Sequence, residues 1–179
     1  MRKKLFKRMI SLTLAIMLLG VITLTASAAG TYVGVDDDDA QGHSNSSIGT
    51  WTRVYSDNLK YGEGLITTCT SNKEYRWIFR SPVAGQGDMG ITLSVWLYHS
   101  SFNDPAARYY VYRHSHVSRL IGTVNQNTAP AGWTDFPYVT INAMDAGGAN
   151  MIQSIILIPS TRGSSYTCGA DWVEATIYP

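Results

Sequence analysis

Hydrophobic and polar residues alternate along much of this chain with a period of two. The run 90–98 is the plainest case. Ile91, Leu93, Val95 and Leu97 fall on one side, and Thr92, Ser94, Trp96 and Tyr98 fall on the other. Such alternation marks a half-buried strand, because successive side chains of an extended backbone point to opposite faces. The run 108–113 repeats it, with Tyr109 and Val111 on the core side and Tyr110 and Tyr112 facing out. Near the end, Val173, Ala175 and Ile177 are set against Trp172, Glu174, Thr176 and Tyr178 in the run 171–178. Residues 151–158 are apolar almost throughout and predict a central strand covered on both sides. Further strands are expected at 50–55, 65–69, 74–80, 117–124 and 136–142. Short segments rich in Gly, Ser, Asn and Asp separate them, and no stretch carries a useful helical period. About nine short strands with turn signals between them predict an all-β protein, a jelly-roll-like β-sandwich.

The first 28 residues break this pattern. Arg2, Lys3, Lys4, Lys7 and Arg8 precede an apolar run from Met9 to Leu24, and Ala26-Ser27-Ala28 follows it. This is the arrangement of a secretory signal peptide, so residues 29–179 are expected to form one secreted, extracellular domain. The whole chain has 14 basic and 13 acidic residues. Without the leading segment 9 basic residues remain against 13 acidic, a formal −4. Nucleic acid is not the expected partner of such a chain, since a phosphate backbone calls for a basic face. No second apolar run is long enough to span a bilayer. In an oxidising compartment the two cysteines, Cys69 and Cys168, are expected to form a disulfide; a pair of buried free thiols is the alternative.

The outward rings are the candidate chemistry. Trp96, Tyr98, Tyr110 and Tyr112 can cover the apolar C–H face of a sugar ring, while Arg108, Asn125 and Gln126 can bond its hydroxyls. Cross-strand pairing of the same rings is the plainer role. Asp36, Asp37, Asp38 and Asp39 read as a solvated loop or as part of a structural calcium site, since that ion takes six to eight oxygens. His114 and His116 share a strand face if the strand continues, as surface residues or as a metal pair. Asp171 more simply holds a turn than a ligand, and Trp133 reads as a loop anchor at the sandwich edge. Neither a Gly-x-Ser-x-Gly elbow nor a His-Glu-x-x-His helix is present, and nothing in the sequence pairs Glu63, Glu74, Asp171 and Glu174 as hydrolytic carboxylates.

Several pieces in order resemble one known family. They are the strand from Ile91 to Tyr98, Ala107-Arg108-Tyr109-Tyr110-Val111-Tyr112-Arg113-His114, and Thr123-Val124-Asn125-Gln126-Asn127. Gly132-Trp133 leading to Tyr138-Val139-Thr140-Ile141 and Gly169-Ala170-Asp171-Trp172-Val173 continue the series. Together they resemble the golvesin / xanthan-lyase carbohydrate-binding-like domain family. This chain differs in having Phe136-Pro137 where the family has Leu-Gly, and Trp172 where it has Ala. The resemblance implies a jelly-roll-like sandwich and a non-catalytic, carbohydrate-binding role towards a cell-wall or extracellular polysaccharide. A secreted structural or protein-interaction sandwich, such as a matrix, coat or toxin-like component, is the rival expectation, because aromatic sheet faces also suit protein contacts.

Overall fold

The computed structural model describes residues 30–35, 44–85, 87–113, 118–142 and 150–178. Every regular element among them is a β-strand. In chain order these are β1 (Thr31–Val35), β2 (Ser44–Ile48), β3 (Thr52–Tyr55), β4 (Glu63–Cys69), β5 (Glu74–Gly85) and β6 (Met89–Leu97). They continue with β7 (Ala107–Arg113), β8 (Ser118–Val124), β9 (Gly132–Asp135), β10 (Val139–Ile141), β11 (Asn150–Ile158), β12 (Gly163–Ala170) and β13 (Val173–Tyr178). One five-stranded sheet runs β1-β13-β6-β10, with β9 also paired to β6; a second runs β2-β5-β11-β7-β8; a three-stranded sheet runs β12-β4-β3. The chain crosses between the two large sheets at β1–β2, β5–β6, β6–β7, β8–β9 and β10–β11. Their inner faces share one core, which makes the fold an all-β, jelly-roll-like sandwich.

The alternation in the sequence sets the inner face of the first sheet. Ile91, Leu93, Val95 and Leu97 are all buried, as are Val173, Ala175 and Ile177 opposite them. From the second sheet come Tyr75, Trp77, Tyr109, Val111, Ile155 and Leu157. Their rings form a chain across the core. Trp51 packs on Tyr75 at 5.2 Å, Tyr75 on Trp77 at 4.9 Å, Trp77 on Tyr109 at 6.4 Å and Tyr109 on Phe136 at 5.2 Å. β11 is central, as its apolar run predicts. Ile156 points away from the core and is still only 3% exposed, flanked in register by Arg76 and Tyr110.

Among the described residues thirteen strands form where about nine were expected. β2, β9 and β12 lack a hydrophobic period of their own and take their ladders from β5, β6 and β4, while the short β1 turns Val33 and Val35 into the core beside β13. The strand expected at 136–142 shortens to β10, and the additional strand β9 ends before Pro137, whose missing N–H interrupts the ladder. Phe136 still donates its N–H to Leu93 O at 2.8 Å and turns its ring inward.

The cysteines require a correction. Cys69 and Cys168 are free thiols, both fully buried. Cys168 stands opposite Thr67, two residues from Cys69, so the pair is diagonal on one face of β4 and β12. The ladder is irregular beside them, with Cys69 in register with Gly163, and no bond joins the two sulfurs. Burial pushes the Cys69 thiol up to about 12, with the nearby Asp104 carboxylate adding to it. Cys168 is raised well above its ordinary value, again first by burial and then by Asp104 and Cys69. Asp104 itself is fully buried and accepts N–H bonds from Ala106 (2.9 Å) and Ser160 (2.8 Å).

Candidate functional site

The four expected platform rings do not form one platform. Trp96 lies on the outer face of β6 in the first sheet, with Tyr98 just beyond its end. Tyr110 and Tyr112 lie on β7 in the second sheet, on the far side of the sandwich. There Tyr112 takes the Arg76 guanidinium over its ring at 4.3 Å, and Arg108 donates to Pro159 O at 3.4 Å. Period-two parity separates inside from outside and is silent about which sheet a strand joins.

The first sheet gathers the rings instead. Trp96 donates its N–H to Trp172 O (2.9 Å) and stands opposite Trp133 in the β6–β9 ladder. Three indoles therefore lie at one level across the sheet. Trp96 and Trp133 meet edge to face, 5.3 Å between centroids at 85°. Trp172 is met edge-on by Tyr61 at 5.0 Å. Residues 56–62 cross this row and are tied to it: Asn58 O accepts from Trp96 Nε1 (2.9 Å), and the Lys60 N–H donates to Asp171 Oδ2 (3.0 Å). The Lys60 ammonium hangs 5.0 Å from the Trp96 centroid and 4.7 Å from that of Trp133, a geometry of mutual attraction between cation and ring face. One level further along the strands, Gly34, Glu174, Ser94 and Asp135 stand side by side, with Ser94 Oγ donating to Asp135 Oδ1 at 2.6 Å. Glu174 accepts from Trp172 Nε1 at 3.1 Å. It also bonds the Tyr32 phenol, whose pKa rises to about 12 through burial first and that bond second.

Beyond the Trp row, where β6 ends, a cleft of about 310 Å³ opens. Asn58, Tyr98, His99, Ser100, Phe102 and Asn127 line it. Tyr98 is 42% exposed and supplies an open ring face. His99 Nδ1 accepts the Ser101 N–H at 3.1 Å, which puts the proton of the neutral imidazole on Nε2, a donor. The cleft thus combines one ring with amide, hydroxyl and imidazole groups, the set that hydroxyl-bearing ligands need.

Gln126 borders the same cleft, but its side chain is buried and engaged. Nε2 donates to Gly169 O (2.9 Å) and Tyr109 Oη (3.3 Å), while Oε1 accepts from Gly169 N (2.9 Å). Asn125 shapes the turn: its Oδ1 accepts from Asn127 N and its carbonyl from Ala129 N. Asp171 holds the 56–62 segment, the turn-holding role expected of it. Glu63 is paired with Arg53, and Glu74 with Arg76 at 2.7 Å. Asp36, Asp37, Asp38, Asp39, His114, His116 and the leading segment lie outside the described residues. Among the described residues no three His, Cys, Asp or Glu side chains are grouped to hold a metal ion, and no helix is long and apolar enough to cross a membrane. Sequence reasoning missed Asn58, Lys60 and His99, whose contributions depend on a loop meeting a strand end. Trp133 carried the one usable signal, a Gly-Trp pair ahead of an apolar run.

No protein-family profile matches the chain, and no curated protein does. Among solved structures the chain is similar to part of a xanthan lyase from Paenibacillus, with 21% identity and a TM-score of 0.58 over 83% of this chain and 13% of that one. A family 35 carbohydrate-binding module from Clostridium thermocellum aligns over 82% of this chain and 98% of its own, at 14% identity and a TM-score of 0.46. The module CBM29-2, complexed with mannohexaose, aligns over 83% and 91% at 10% identity and a TM-score of 0.45. The chain spans 13% of the length of the lyase. At 21% identity that likeness is one of fold, and it agrees with the sandwich described above.

Proposed function

We propose that the protein is a secreted, non-catalytic module that binds a polysaccharide, and that the cleft at the end of β6 is where the sugar sits. The observation that carries this reading is the convergence of the open Tyr98 ring with Asn58, His99, Ser100 and Asn127 beside a row of indoles. A pyranose offers an apolar face to a ring and a rim of hydroxyls to amides and imidazole. Glu63, Glu74, Asp171 and Glu174 are held in ion pairs, a turn and a hydrogen bond from Trp172, which favours binding over bond cleavage by these carboxylates. The likeness of fold to part of the Paenibacillus lyase, an enzyme named for a polysaccharide, is in keeping with this role. The basic and apolar start of the sequence supports export.

Tyr98→Ala is the direct test, because an exposed ring can be removed without opening the core. Affinity gels cast with soluble polysaccharides should show retention of the wild type and a loss of roughly tenfold or more in the variant, the size of one stacking contact. Equal retention of both proteins would move the site elsewhere, and no retention of the wild type on any polysaccharide would end the reading. Trp96→Ala is the poorer probe, since that indole also anchors Asn58 and Lys60.

A further inference from the structure

The outer face of the first sheet carries a second group of rings at the end opposite the cleft. Tyr138 is 57% exposed, and its ring lies over Gly90, where an added Cβ would overlap the phenol oxygen. Tyr178 stands beside it, 5.9 Å between centroids, and Tyr32 is 60% exposed at the neighbouring level. A glycine beneath lets a ring lie down along the sheet and turn its face to solvent rather than stand on edge. Gly34 likewise leaves room for the buried Trp172 ring and the Tyr32 phenol. Between the two aromatic ends the outward positions are polar: Thr92 and Thr176, then Ser94, Glu174 and Asp135. Along β6, Trp96 and Gly90 are six residues apart, about 20 Å at strand spacing.

We infer that Tyr138 and Tyr178 form a distal subsite for a neutral, extended glycan chain that enters at the cleft, passes over residues 56–62 where they cross the Trp row, and runs along β6. This inference rests on the cleft being a sugar site and adds the length and charge of the ligand. The charge follows from the face itself. Two carboxylates, Glu174 and Asp135, stand midway along the path against one ammonium, Lys60 at the Trp row, so the path is net negative, accepts hydroxyl donors and repels an anionic chain. The rings at the two ends each cover one apolar sugar face, and the polar stretch between them meets hydroxyl rims.

The test uses the full exported chain. Affinity gels with β-glucan, mannan, xylan, galactan and a polyuronate identify the preferred polymer, and calorimetry then measures its oligosaccharides from two to six units. The hexasaccharide should bind roughly tenfold tighter than the disaccharide. Tyr138→Ala should abolish that gain while disaccharide affinity stays unchanged, and Tyr138→Phe should keep it. Gly90→Ala should abolish it too, because the new methyl group displaces the tip of the Tyr138 side chain without removing a ring; melting curves establish that the variants are folded. Affinity independent of length, or a length gain intact in both Tyr138→Ala and Gly90→Ala, overturns the distal subsite while leaving the cleft. Preference for the polyuronate overturns the neutral ligand. Failure to bind any of the polymers overturns the cleft reading and this one together.

Discussion

Gln126 commits both ends of its amide to one backbone unit, giving and taking a hydrogen bond at Gly169 as a neighbouring strand would. In the sequence it sits between two asparagines and looks like a surface polar residue. Nothing local announces that the sheet edge at Gly169 lacks a strand and needs a substitute. The same holds for the thiols, whose environment is set by Asp104, distant in sequence from both. Their burial has a consequence for pH. Both thiol pKa values are higher in the folded protein than their ordinary value of 9.0, so the folded state keeps protons that the unfolded chain releases. The stability tied to these thiols is therefore fully present below about pH 9 and is lost as pH rises from there towards 12. Urea midpoints measured across that range should fall less steeply in the Cys69→Ala/Cys168→Ala double variant than in the wild type. Thiol reagent should titrate two groups on unfolding and almost none before. Parallel slopes, or no thiol after unfolding, would contradict the free, buried pair.

Strands that bury a face of their own were the legible ones. β6, β7, β11 and β13 carry period-two or continuous apolar patterns, and each appears within a residue or two of its expected bounds. β2 (Ser-Asn-Ser-Ser-Ile) and most of β12 are polar or small, and they are strands because β5 and β4 offer unpaired backbone beside them. Such pairing depends on the partner's position, and local sequence does not encode it. The distinction predicts different sensitivities. Leu97 is 5% exposed and faces the core from the end of β6. Leu97→Ala should cost about 2–5 kcal/mol in denaturant unfolding, through lost transfer energy and a residual cavity. Leu97 also lines the cleft beside Tyr98, so the control for binding is Leu93→Ala, 1% exposed at mid-strand, whose folded fraction should keep sugar affinity within about twofold of wild type, well under the 1.4 kcal/mol of a tenfold change. A loss below about 1 kcal/mol would mean that the strand end is not packed as described.

For the whole molecule, the two large sheets divide the aromatic surface into separate faces. The sequence showed which rings point outward and could not show that β6 and β7, neighbours in the chain, belong to opposite sheets. Three of the seven expected ligand residues, Arg108, Tyr110 and Tyr112, therefore stand across the sandwich from the cleft. Replacing Tyr110 and Tyr112 together by alanine should leave polysaccharide retention unchanged, at a stability cost of about 0.2–1 kcal/mol for each cross-strand pair lost. Reduced retention in that folded variant would place the ligand on the other face.

Trp96 and Trp133 supply two of the chain's five indoles, held nearly perpendicular and in contact. Two identical chromophores in fixed, non-parallel contact exchange excitation, and their absorption splits into paired circular dichroism bands of opposite sign. One indole comes from β6 and the other from β9, so the couplet exists only while that pairing holds. The protein thus carries an intrinsic optical marker beside the Tyr98 cleft, one that reports without any label whether β9 is docked.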